Sequence, residues 1–149
     1  MNAWLLTLWA APAALGFAVL FNVPPRALAA CCGLAVLAMA IRNGVVAQGG
    51  DLVAGTLLAA IVVGFCAQAL ARTTGHVSPI YAISAVIPMV PGTFMYRAVQ
   101  AMLRIATLPA AVHGNALLEQ AGVNAIRAGM ILLAITIGIA APRLVWPRR

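Results

Sequence analysis

The chain has 149 residues, yet no lysine, only two acidic side chains and only three cysteines. Charged residues make up 7% of it, where an average soluble domain has about a quarter. That scarcity excludes a soluble enzyme, a disordered tail and a soluble nucleic-acid binder. The nine basic residues are all arginines and form neither a patch nor a run: Arg26, Arg42, Arg72, Arg97, Arg104, Arg127, Arg143, Arg148 and Arg149 mostly stand singly at the ends of apolar stretches. Their reading is anchorage, with the stem in lipid and the guanidinium among headgroups, and no nucleic acid is expected as a partner. Three cysteines, two of them adjacent at Cys31 and Cys32, cannot build a secreted disulfide framework. With no CxxC, HExxH or Cys/His cluster, neither a metal nor another cofactor is expected. Ser78, Ser84, His76 and His113 make no nucleophile–base set, so the chain is not read as an enzyme.

What is abundant is apolar surface. Of the residues 64% are hydrophobic and the mean hydropathy is +1.06, which describes an all-α integral membrane protein with residues 1–149 as a single transmembrane domain. A span needs about 20 mostly apolar residues. The first candidate runs from Ala3 to Phe21, is kinked at Pro12 and ends at Asn22, Pro24, Pro25 and Arg26. It is read as a retained span and not a cleaved signal, because no basic region precedes it and Trp4 and Trp9 lie within it. The second, Ala27 to Ile41, is short between Arg26 and Arg42. It spans if it continues through Val45 and Val46, and otherwise is tilted or re-entrant. Leu52 to Ala71, closed by Arg72, is the clearest span.

The fourth apolar stretch carries Pro79, Pro88, Pro91 and Gly92. Two prolines three apart followed by glycine remove backbone donors inside a hydrophobic run, and lipid tolerates that only where protein or a water-filled cavity satisfies the freed groups. The expectation is two half-helices, about residues 79–87 and 93–108, joined at a Pro88–Gly92 elbow. In transporters such breaks surround substrate; the alternative is a kink that only shapes packing. On the functional reading, Pro91, Gly92 and Thr93 open a helix N-terminus toward an anion. Arg97 one turn on offers a bidentate partner for a carboxylate, Tyr96 adds a hydroxyl, and Asn22 contributes from the neighbouring break. Arg97 equally suits structural pairing. Arg97, Gln100 and Arg104 share one helix face, as do Gln120, Asn124 and Arg127 further on.

The last helix is expected from about Asn115 to Ala140, ending at Pro142, with Trp146 among arginines at headgroup level. Four or five spans result, the C-terminus facing the cytoplasm.

Two stretches carry a resemblance: Gly16-Phe17-Ala18-Val19-Leu20-Phe21-Asn22-Val23-Pro24-Pro25-Arg26, and Val86-Ile87-Pro88-Met89-Val90-Pro91-Gly92 with Tyr96 following. They resemble the threonine/serine exporter family, specifically its short, membrane-only component, and the C-terminal Ile-Gly-Ile-Ala-Ala-Pro with its basic tail is similar too. The resemblance implies a small subunit of a bacterial inner-membrane exporter of threonine and serine, or of small carboxylates such as succinate, acting with a larger membrane subunit. The alternative is a structural or assembly subunit without substrate contact. The resemblance supplies no binding residues; the candidates above rest on the helix break.

Overall fold

A computed structural model describes residues 7–75, 77–107 and 114–145, all in helices and short connections, with no strand among them. The helices are α1 (Ala10–Leu20), α2 (Pro25–Ala47), α3 (Leu52–Thr74), α4 (Ser78–Val86), a 3₁₀ turn at Ile87–Met89, α5 (Gly92–Ala106) and α6 (Asn115–Val145). Three of them, α2, α3 and α6, are long and apolar enough to cross a bilayer; a fourth span is present if α4 with its 3₁₀ turn and α5 count as one broken crossing. The chain is thus an all-α membrane protein. The described residues form two compact units, one of residues up to 90 together with 134 onward, the other of residues 91–133.

In the first unit α2 packs against α1, α3 and α4, and α4 also rests on α1 and α3. Its seams are made of small residues. Ala10, Ala14 and Ala18 are the buried face of α1; Ala27, Cys31, Ala35 and Ala38 recur at three- and four-residue spacing on α2; Ala59, Ala60, Val63 and Ala67 do so on α3. The bulky side chains point outward: Leu20 is 72% exposed, Phe21 54% and Leu58 49%. Water would not tolerate that arrangement. In lipid, where large apolar groups are already solvated, close backbone approach through small residues is what holds helices together. Buried hydroxyls close on their own helices, Thr56 Oγ1 donating to the Leu52 carbonyl at 2.8 Å and Ser84 Oγ to Ile80 at 3.4 Å, as a medium without water requires.

The turns follow from a few residues. Trp9 interrupts the helix three residues before Pro12, whose missing N–H and ring break the bond to the carbonyl four residues earlier. Asn22 ends α1 at φ 54°, its N–H bonding Val19 and that of Val23 bonding Ala18, both at 2.9 Å, which is a Schellman closure with Asn in the left-handed position. Pro25 then starts α2 as its first residue, where a missing N–H removes no bond. Gly49, at φ 82°, closes α2 in the same way, with Gly50 bonded to Val45. Asp51 caps α3 by accepting from Val53 at 2.8 Å and Ala54 at 3.4 Å. At the far end Thr74 gives its proton to Leu70, so the buried Tyr81 hydroxyl donates to Thr74 at 2.8 Å and ties α4 to α3.

Of the two readings of the second apolar segment, the longer one holds: α2 continues past Arg42 to Ala47, and the turn begins only at Gln48. Arg42 therefore lies within the helix and not at its boundary. The last helix also differs from expectation. It does not stop before Pro142 but passes through it to Val145, with Pro142 fully buried. Pro142 removes the donor for the Gly138 carbonyl, and α3 fills the gap: a Cβ on Gly64 would lie 2.9 Å from that carbonyl and 3.0 Å from Pro142 Cγ. A Cβ on Gly138 would collide with Ala60. The two glycines let backbone meet backbone where proline leaves an acceptor open. Ala3–Leu6, His76, the Leu108–His113 loop and Trp146 with the terminal arginines lie outside the described residues.

Candidate functional site

The fourth stretch folds as two half-helices. α4 tightens into the 3₁₀ turn over Ile87–Met89, Val90 turns to ψ 132° and bonds back to Ile87 at 3.0 Å, and Pro91 precedes α5. Each proline acts where its missing donor would have continued the helix. Met89 is buried, so its carbonyl, sitting at the break, needs a partner from elsewhere. That partner is Arg42: its Nη1 donates to the Met89 carbonyl at 3.2 Å.

Arg42 is brought there by local construction. The α2–α3 hairpin closes through Gly49 and Gly50, and Gly55 on α3 passes so near α2 that its Cβ would lie 3.2 Å from the Arg42 carbonyl. Next along α2, Asn43 Nδ2 donates to Thr7 Oγ1 at 3.1 Å. The Arg42 Nε is sealed from solvent and has no hydrogen-bond partner among the described residues. Leaving such a donor unpaired costs about 1–3 kcal/mol. No carboxylate among the described residues pairs with the guanidinium; Asp51 is engaged in capping α3. The α4 limb, with its 3₁₀ turn, is roughly 19 Å long against roughly 34 Å for α3. The α4 limb therefore runs along only part of the length of α3.

The residues named from sequence divide between the units. Pro91, Gly92, Thr93, Tyr96 and Arg97 all lie on or beside the first turns of α5 in the 91–133 unit. Pro91 is buried; Gly92, Thr93 and Arg97 are exposed, and Tyr96 is 66% exposed. Thr93, Tyr96 and Arg97 lie on one side of the helix. The first N–H groups of α5 have no acceptor within their own helix, while that of Met95 bonds Pro91 at 3.1 Å. Asn22 belongs to the other unit, where its backbone conformation serves the α1 turn. Arg42 was not singled out as a site residue. The available signal was its position: if the second segment is allowed to reach Val46, Arg42 becomes an arginine inside a span and not an anchor at its end. Among the described residues no group of three or more His, Cys, Asp or Glu side chains stands close enough to hold a metal.

An all-helical integral membrane protein with a broken helix whose open carbonyl is met by a half-buried arginine is the class these features define. Within that class the chain belongs to the threonine/serine exporter family, whose model, described as "Threonine/Serine exporter, ThrE", matches residues 6–145. It is thus a membrane protein of that family. A relative from Haemophilus influenzae, itself described as an uncharacterized protein, is 35% identical over 142 residues, which is 95% of this chain and 47% of the relative. The chain spans about half the length of that curated relative. No solved structure matches it.

Proposed function

We propose that the chain is the small subunit of a bacterial inner-membrane exporter of threonine and serine, or of small carboxylates such as succinate, and that it works with a larger membrane subunit. The observation that carries this reading is the elbow between Ile87 and Gly92, an interruption of backbone hydrogen bonding in an apolar stretch of an exporter-family chain. Such interruptions are where transporters hold solutes near mid-membrane. The half-length match to the relative fits an exporter in which further sequence completes the path.

In this reading the substrate carboxylate meets the open backbone at Pro91, Gly92 and Thr93 and forms a two-pronged contact with Arg97, with the Tyr96 hydroxyl beside it. Asn22, in the other unit, is proposed separately as an amide contact, and alternating access moves the half-helices. The C-terminus, with Arg143 and the terminal arginines, faces the cytoplasm.

The test is efflux from cells preloaded with labelled threonine, serine or succinate, carrying this chain with its larger partner, the partner alone, or the pair with Arg97→Ala. Export that needs both chains and falls about tenfold or more in Arg97→Ala, with the complex still assembled, supports the reading. Full export from the partner alone makes the chain an assembly subunit.

A further inference from the structure

We infer that the Nε–Nη2 edge of the Arg42 guanidinium, whose Nε has no partner among the described residues, is a receptor for a small carboxylate solute, coupled mechanically to the helix break. The inference rests on the exporter reading but names a residue and an element outside the α5 face. Arginine stays protonated in any protein environment, so Arg42 brings a full positive charge into the bundle. Within the described chain it has one partner, the Met89 carbonyl, which is neutral. A guanidinium that merely snorkelled would extend to water along its stem; this one is turned inward, with Nε sealed from solvent.

The chemistry of the unfilled partner follows from what remains. Nη1 is committed to Met89, whereas Nε and Nη2 form the planar edge that receives two carboxylate oxygens in parallel. The bond to Met89 holds the plane of that fork, and Gly55 fixes the backbone from which it projects. A carboxylate group would supply the missing charge and pair the sealed Nε together. A simple amine, with no anionic group of its own, would be repelled by the guanidinium. Because Nη1 touches the elbow carbonyl, occupancy of the other edge redistributes the guanidinium's hydrogen bonding across the break. The solute is thereby sensed at the segment that must move for export.

The experiment places the full chain, labelled with nitrogen-15 at arginine Nε, in phosphatidylcholine nanodiscs, and identifies the Arg42 Nε–H signal by its loss in Arg42→Lys. The lysine variant retains a charge and a donor for Met89, so it preserves the fold while removing the fork. Succinate or threonine is expected to shift the Arg42 signal saturably, with ethanolamine and sodium chloride leaving it in place. Efflux from cells carrying Arg42→Lys and the partner should fall about tenfold or more. An Arg42 signal unmoved by succinate, threonine and serine overturns the inference, as does one that moves only when a second membrane protein is added, since the missing charge is then a protein carboxylate. An equal response to sulfate overturns the assigned ligand class. A saturable shift in a chain whose pair exports nothing leaves the receptor standing and removes the exporter reading, so the two fail separately.

Discussion

Prolines open two places in the same helical unit, and the carbonyls exposed there are satisfied in opposite ways. At Pro142 the freed Gly138 carbonyl is closed off by backbone, because Gly64 and Ala60 bring α3 against it with no side chain between. At the elbow the Met89 carbonyl is met by the tip of a long charged side chain from α2. The first joint has nothing to exchange: separating it means pulling two helices apart. The second holds through one hydrogen bond from a group with donors to spare. A kink sealed by glycine belongs to the scaffold, and a break capped by arginine is the one equipped to respond to a solute.

That contrast is broken most forcefully at Gly138. Replacing it with leucine forces side-chain volume into the Ala60 backbone, and about 3 kcal/mol of stability is expected to be lost, read as a collapse of the monodisperse peak on heating and gel filtration in detergent. Next comes Arg42→Leu, which should behave in the opposite manner. The Met89 carbonyl loses its partner while a half-buried charge disappears, so the two effects offset to within about 1 kcal/mol. Efflux nonetheless falls to background. If Arg42→Leu melts as early as Gly138→Leu, the elbow is scaffold as well. Pro142→Ala returns an intrahelical donor to Gly138 but removes the ring packed on Gly64; a loss of about 1 kcal/mol with efflux retained would confirm that this joint takes no part in transport. The smallest effect is at Asn22. Asn22→Gly keeps the positive φ and should change stability by only a few tenths of a kcal/mol, whereas Asn22→Ala should cost about 1 kcal/mol. Because Asn22→Gly also deletes the amide, undiminished efflux in that variant assigns Asn22 to the turn alone.

The fold was legible wherever hydropathy and punctuation agree. Asn22 with Pro24 and Pro25, and the Pro88–Gly92 run, marked their boundaries because each acts on its own backbone within a few residues. Arg42 does not bound its helix and Pro142 does not stop its own, for a common reason. Charge and proline are local stop signals, and each was overruled by a partner distant in sequence, Met89 for one and Gly64 for the other. Exposed Thr93 and Arg97 could be named from helix spacing alone. The Arg42 guanidinium could not, since its significance lies in which carbonyl it reaches.

The alanine seams of α1, α2 and α3 carry an evolutionary consequence. In a water-soluble protein the bulkiest apolar residues are the least replaceable. Here Leu20, Leu37 and Leu58 face outward, and exchange among leucine, isoleucine, phenylalanine and methionine at such positions alters little that a fluid hydrocarbon would register. The constraint falls instead on the least conspicuous letters, Ala14, Ala35, Ala60, Gly64 and Gly138, where one added methyl pushes helices apart. Lineages of this chain should therefore drift in their large residues while keeping their small ones.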